Sequence, residues 1–75
     1  MVENQEVQKI MVTVRELKRG DFFTKKPIPE PKENQVWIRD YYDQSLKKYC
    51  CYNFADVNHT CFLQGKKEIF TRFTF

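Results

Sequence analysis

Residues 36–54, which read VWIRDYYDQSLKKYCCYNF, carry the strongest structural signal in the chain. Segments 36–42 and 47–54 are rich in β-branched and aromatic residues, a composition that favours strands. Between them, the run from Asp43 to Leu46 has turn chemistry, because its short polar side chains bond readily to nearby backbone groups. The stretch therefore predicts a β-hairpin.

Period-two geometry sorts the side chains of the first of these strands onto two faces. We expect one face to carry Val36, Ile38 and Tyr42, and the other to carry Trp37, Arg39 and Tyr41. The aromatic-rich half of the chain must supply both a core and any binding surface. Our core candidates are Ile38, Phe54, Ile69 and Phe73, and the residues left open between the two roles are Trp37, Tyr41 and Phe70.

Segments 9–14, 21–24, 59–63 and 68–75 also favour short strands. The last of them alternates apolar and polar residues, which is typical of a strand with one face in a core. Turn-forming residues separate these segments. Together they predict an all-β fold with at most one short helical turn, built as a strongly curled antiparallel sheet or a small barrel of five or six strands.

The one helical turn is predicted just after the first strand. Thr13 and Glu16 have the spacing of a capping box, in which a hydroxyl and a carboxylate each satisfy a backbone amide of the first turn. Gly20 suits the left-handed position that ends such a turn, because it has no Cβ. We therefore expect a single turn at 14–19.

The domain organisation follows from length and proline content. Residues 1–8 are polar and aperiodic and predict a disordered N-terminal tail. Residues 9–75 predict a single small β domain, because a chain of 75 residues is too short to bury two cores. Pro27, Pro29 and Pro31 indicate an extended loop at 25–35, which is either mobile or a contact surface.

Composition and charge limit the classes of function. The 13 Lys and Arg against 10 Asp and Glu give a net charge of +3, which permits nucleic-acid contact without requiring it. No apolar run of about 18 residues is present to span a membrane, and the acidic start differs from a signal peptide. The 3 cysteines are an odd number, which favours reduced thiols over a disulfide framework. We expect a cytoplasmic protein.

The metal-ligating residue types cluster late in the chain, at Cys50, Cys51, His59 and Cys61. Adjacent cysteines on a strand point to opposite faces, so at most three of the four ligands could converge on a zinc ion. Buried thiols and a surface histidine are the simpler interpretation. Zinc binding is therefore our least favoured function, and we expect no metal.

Catalytic and cofactor signals are equally weak. The single histidine restricts a nucleophile and base pair to His59 with Cys50, Cys51 or Asp56, and no nucleophile-elbow glycines surround them. Gly20 and Gly65 are the only glycines, so a glycine-rich phosphate cradle is excluded. The sequence predicts a non-enzymatic domain without a cofactor.

Two kinds of binding remain. Small barrels bind single-stranded DNA or RNA by stacking bases on exposed rings beside basic groups. The candidate binding surface for this role comprises Trp37, Arg39, Tyr41, Lys47, Lys48, Lys66, Lys67, Phe70 and Arg72. Alternatively, a last strand ending in Phe73-Thr74-Phe75 at a sheet edge invites a protein partner or a homodimer. The interaction module is our preferred prediction, and nucleic-acid binding is the alternative.

One pattern runs through most of the chain: Leu17-x-x-Gly20-Asp21-Phe22-Phe23, Val36-Trp37-Ile38-Arg39, Tyr42-Asp43, Lys48-Tyr49 and Asp56-Val57-Asn58. It resembles a group of short bacterial proteins of unknown function, found in chromosomes and in phage-like or conjugative elements. The resemblance implies a small, strongly bent sheet similar to SH3-like barrels, with the proline-rich segment as its variable first long loop. It carries no catalytic motif.

Overall fold

The structure is a computed structural model that describes residues 11–75. The predicted tail at 1–8 and the beginning of the predicted strand at 9–14 lie outside the described residues. Six strands follow one another along the chain: β1 (Val12–Thr13), β2 (Phe22–Phe23), β3 (Trp37–Asp43), β4 (Lys48–Asn53), β5 (Thr60–Leu63) and β6 (Glu68–Ile69). Two short 3-10 turns, Val14–Glu16 and Glu33–Gln35, are the only helical segments in this part of the chain.

The strands form two antiparallel sheets. One has four strands in the order β2-β3-β4-β5, and the other pairs β1 with β6. A single bridge between Thr24 and Phe70 joins the two sheets, with backbone N–H to O distances of 2.8 and 3.0 Å. The all-β prediction is confirmed. Over residues 11–75 the sheets do not close into a barrel.

The predicted hairpin is confirmed as β3 and β4, and its turn is closed by Asp43. The carboxylate Oδ1 accepts hydrogen bonds from the Ser45 amide at 2.9 Å, the Ser45 hydroxyl at 2.6 Å and the Leu46 amide at 3.1 Å. Lys47 then takes a positive φ of 56° before β4 begins. Because Asp43 binds the turn through its ionised oxygen, the Ser45 hydroxyl and the Leu46 amide lower the pKa of its carboxyl group.

A β-bulge in β3 changes the predicted face assignment. Arg39 pairs with Cys51 and Tyr42 pairs with Tyr49, so two residues of β3 oppose Cys50 alone. The extra residue reverses the alternation, and Tyr42 joins Arg39 around the Tyr49 ring on the inner face. The prediction that Tyr42 shares a face with Ile38 was wrong, because period-two reasoning assumes an unbroken strand.

The core lies between the inner face of the larger sheet and the β1–β6 pair. Ile69 and Phe23 are fully buried there, and Ile38 is also buried on the other face of the sheet, so the core predictions for Ile38 and Ile69 are confirmed. Phe54 is 37% exposed, which contradicts its predicted core role. Phe73 is half-buried. The central cluster consists of Val14, Leu17, Phe23, Trp37, Cys51 and Ile69, flanked by Val12, Tyr49, Cys61 and Leu63.

The predicted strand at 68–75 is much shorter than expected. It pairs only through Glu68–Ile69 and the Phe70 bridge, and residues 71–75 have no ladder partner in the described structure. A strand exists only where a neighbouring edge offers hydrogen bonds, and here the backbone instead turns to the proline-rich loop. The Thr74 amide donates to the Pro29 carbonyl at 2.9 Å. Alternation alone therefore overestimated this strand.

The first helical turn is also shorter than predicted. It covers Val14–Glu16, and the Thr13 hydroxyl bonds the Glu16 carboxylate at 2.9 Å instead of capping a backbone amide. Gly20 adopts the predicted positive φ, at 97°, and its amide donates to the Arg39 carbonyl at 2.7 Å. The glycine thus lets the chain reverse and lie against β3.

The loop at 25–35 is held at both ends. Its last residues form the 3-10 turn Glu33–Gln35, and the Asn53 side-chain amide donates to the Asn34 carbonyl at 2.9 Å. Near its start, the Thr24 hydroxyl donates to the Lys26 carbonyl at 2.6 Å. These contacts tie the loop to the four-stranded sheet, beside the C-terminal residues.

Candidate functional site

Three features of the structure are candidate sites, and the first is a phenylalanine patch on the surface, defined by Phe22, Phe54, Phe73 and Phe75. The Phe75 ring lies 4.8 Å from Phe54, 6.0 Å from Phe22 and 6.5 Å from Phe73, measured between ring centroids. Phe22 and Phe54 are 5.6 Å apart. Phe22, Phe54 and Phe75 are 40%, 37% and 52% exposed, although their rings contact one another.

The patch arises from the topology of the sheet. Phe22 pairs with Ile38, and Ile38 with Tyr52, so these three side chains share the outer face, opposite the core. Phe54 lies two residues beyond Tyr52 and continues that face, and its amide donates to the Val36 carbonyl at 2.9 Å. The C-terminal segment brings Phe75 onto the same face. A groove of about 430 Å³ adjoins this segment, between the proline-rich loop and residues 71–74.

The second feature is a tyrosine groove, defined by Tyr42, Tyr49, Arg15, Lys47 and Gly65, with a volume of about 340 Å³. The Tyr42 and Tyr49 ring centroids are 4.7 Å apart. Both phenol rings lie on the inner face beyond the core, because the bulge in β3 directs Tyr42 there.

Cations surround the tyrosine groove. The Arg39 guanidinium stacks on the Tyr49 ring at 4.3 Å, and its Nε is buried without a hydrogen-bond partner among the described residues. Arg15 lines the rim of the groove. Gly65 lies against both Arg15 and Tyr49: a Cβ atom at position 65 would be 3.2 Å from Arg15 Nε and 3.2 Å from Tyr49 Cε1. Glycine at 65 thus leaves room for the arginine beside the ring.

The third feature is a thiol cluster, defined by Cys51, Cys61, Lys25, His59 and Trp37. Cys51 and Cys61 are directly paired across β4 and β5. The Lys25 ammonium lies 3.9 Å from the Trp37 ring centroid, and the His59 ring is 5.1 Å from the same indole. A lysine, a histidine and two thiols therefore meet at one end of the inner face.

The two thiols of this cluster differ in acidity. A hydrogen bond from the Cys51 thiol, followed by the charges of Lys25 and His59, lowers the pKa of Cys61 to about 6, against the opposing effect of burial. The same hydrogen bond and burial raise the pKa of Cys51. The two shifts have opposite directions, and they favour the thiolate at Cys61 and the protonated thiol at Cys51.

The structure separates the residues that we predicted as one binding surface. Arg39 and Lys47 lie at the tyrosine groove, and Tyr41 is exposed on the outer face beside Cys50. Trp37 is only 8% exposed, with its ring covered by Lys25, so it has no free face for stacking. The remaining predicted residues lie elsewhere: Lys48 half-buried in β4, Lys66 and Lys67 in the β5–β6 turn, Phe70 half-buried at the bridge and Arg72 at the 430 Å³ groove.

Sequence reasoning missed several residues of these features. Arg15 and Lys25 lie far in sequence from the residues that they contact, and only the pairing of distant strands brings them there. The sequence predicts a strand at Phe22, but nothing local indicates which face its side chain occupies. The sequence predicts consecutive strands at 47–54 and 59–63, but the register that pairs Cys51 with Cys61 comes only from the structure.

The zinc hypothesis gains no support. Over residues 11–75, no group of three or more His, Cys, Asp or Glu side chains is arranged to hold a metal ion. Cys50 and Cys51 occupy opposite faces of β4, as expected from strand geometry: Cys51 belongs to the core cluster and Cys50 contacts Tyr41 on the outer face.

No protein-family model, curated protein or solved structure matches this chain. The resemblance to short bacterial proteins therefore stays a prediction. In the part of the chain that the structure describes, no helix has the length and apolar composition required to cross a membrane.

Proposed function

We propose that this protein is a small, non-enzymatic interaction module that self-associates through the phenylalanine patch. One observation carries the proposal: Phe22, Phe54 and Phe75 contact one another and are each more than a third exposed. Aromatic clusters in a folded domain are normally covered, and an exposed one marks an interaction surface. A second copy of the same apolar surface is a suitable cover, because aromatic rings pack well against rings.

The exposed apolar area of the phenylalanine patch sets the expected strength of self-association. If a fully exposed Phe side chain presents roughly 200 Å², the three exposed fractions amount to about 250 Å² per copy. A stable interface buries about 800 Å² per partner. We therefore expect weak, concentration-dependent association. Further area would come from Phe73 and from the backbone of residues 71–75, which has no ladder partner in the described structure.

The test is the average mass in solution, measured by sedimentation over a wide range of protein concentration. We expect the mass to rise from monomer towards dimer, and Phe75→Asp to abolish the rise by placing a charge in the patch. Leu46→Asp is the matched control, because Leu46 is equally exposed but belongs to the β3–β4 turn, outside the patch. A constant monomer mass at all concentrations overturns self-association.

A second candidate, single-stranded nucleic-acid binding, is favoured by the tyrosine groove. The exposed Tyr42 ring, packed on Tyr49 and beside Arg15, Arg39 and Lys47, combines the aromatic and basic groups with which small β domains bind unpaired bases and phosphates. Such binding weakens steeply as salt rises. The proposed site differs from the predicted one, since it uses Tyr42 and Tyr49 instead of Trp37.

Oligonucleotide titration at about 50 mM salt tests this candidate. We expect Lys47→Glu to weaken binding and Lys26→Glu, on the proline-rich loop away from the groove, to change it little. Absence of binding at that salt concentration rules the candidate out.

The SH3-like description of the fold and a cytoplasmic location also remain proposals. The bridge that joins the two sheets at Thr24 and Phe70 supports the SH3-like description.

A further inference from the structure

The thiol cluster is independent of both proposed binding surfaces. Cys51 and Cys61 face each other across two antiparallel strands, with their Cα atoms in register. Directly opposed residues in such a pair have Cα atoms about 4.5–5.5 Å apart, within the range of about 4.4–6.8 Å that a disulfide spans. Both cysteines are free thiols in the structure. A bridge between them therefore requires little backbone movement.

Their surroundings give the two sulfur atoms different roles. Cys61 is only partly buried, and the hydrogen bond from Cys51, followed by the charges of Lys25 and His59, lowers the pKa of its thiol. Cys51 is fully buried in the core cluster. A partly exposed thiolate beside a cation is the form that reacts with oxidants, whereas a buried thiol next to it is protected from direct attack.

We propose that Cys61 and Cys51 form a reversible redox pair, in which a peroxide oxidises Cys61 and Cys51 then closes a cross-strand disulfide. In the first step the Cys61 thiolate attacks one peroxide oxygen. The S–O bond forms, the O–O bond breaks, and the sulfur loses two electrons while the peroxide is reduced to hydroxide or alkoxide. The product is a sulfenic acid at Cys61.

In the second step the Cys51 sulfur attacks the Cys61 sulfur. The S–S bond forms and the S–O bond breaks, and the Cys51 proton leaves with the hydroxyl group as water. An external dithiol reverses the reaction by thiol–disulfide exchange and restores both cysteines. Lys25 is a positioning residue here: its charge favours the Cys61 thiolate, and its own bonds do not change in either step.

Cys50 provides the internal control. It is adjacent to Cys51 but lies on the outer face, where burial raises the pKa of its thiol. It also pairs with Phe62 across β5, so no cysteine opposes it. The proposal therefore requires Cys61 to react first, and Cys50 to be dispensable for the disulfide.

The first measurement is the alkylation of each cysteine as a function of pH, read by mass spectrometry. We expect Cys61 to react with a midpoint near 6, and Lys25→Met to raise that midpoint. An ordinary thiol titrates at about 8.5. A Cys61 midpoint near that value in the unmodified protein, or no change in Lys25→Met, overturns the role given to Cys61 and Lys25.

The second measurement follows the oxidation. Hydrogen peroxide is expected to lower the intact mass by that of two hydrogen atoms, and a dithiol to restore it. Cleavage before Asp56 separates Cys51 from Cys61, so only a disulfide holds the two fragments together. Cys50→Ala should keep the linkage, and Cys51→Ala should lose it. Oxidation of Cys61 to sulfinic acid without linked fragments, or a linkage that depends on Cys50, refutes the pair.

Discussion

Phe22 and Phe23 are adjacent in β2 and point to opposite faces, which makes them a matched pair for testing where the core lies. Phe23 is fully buried, so Phe23→Ala should cost about 3–5 kcal/mol through lost burial and a residual cavity. Phe22 is 40% exposed and has a little over half of its side chain covered. Since full burial of Phe stabilises by about 1.5–3 kcal/mol, Phe22→Ala should cost about 1–2 kcal/mol.

Urea unfolding followed by the fluorescence of Trp37 measures both costs, because this single tryptophan is buried. With a slope of about 1 kcal/mol per molar urea, Phe22→Ala should lower the midpoint by about 1–2 M. With the same slope, Phe23→Ala should lower the midpoint by about 3–5 M. A domain of this size is stable by about 4–11 kcal/mol, so at the lower end of that range Phe23→Ala unfolds without denaturant. Phe23→Leu keeps a measurable transition. Equal midpoints for Phe22→Ala and Phe23→Ala would refute the assignment of inner and outer faces.

Two further predictions concern turns. Gly20→Ala should destabilise by about 1–2 kcal/mol, because φ is 97° there while an added Cβ would meet no atom within 4 Å; Lys18→Ala is the control, and an equal midpoint shift in both contradicts the strain argument. Folding lowers the pKa of Asp43. The contribution of Asp43 to the free energy of unfolding is therefore present above its unfolded-state pKa of about 3.9, and it is lost as the pH falls through its folded-state pKa. Urea midpoints between about pH 5 and pH 2 should therefore fall further in the wild type than in Asp43→Asn; parallel falls would argue against this turn as an acid-sensitive element.

Local chemistry predicted the turns and the hairpin well. The Asp43 side chain closes its turn by binding the amides of Ser45 and Leu46, two and three residues later in the chain. Gly20 takes a positive φ, which residues with a Cβ rarely adopt. Such interactions depend only on residues that are close in sequence, and the amino-acid sequence is therefore sufficient to predict them. The residues of the predicted binding surface do not form one surface: Arg39 and Lys47 lie at the tyrosine groove, whereas Trp37 is buried beneath Lys25.

The sequence by itself determined the all-β class, the β3–β4 hairpin and the chemistry of its turn. Only the tertiary structure decided that a bulge sends Tyr42 to the inner face, that the last strand stops after Ile69, and that Cys51 meets Cys61 beside a lysine from a distant loop. The physical reason is the same in each case. Periodicity and propensity act along the chain, whereas register, edge pairing and coverage of a face depend on residues that only folding brings together.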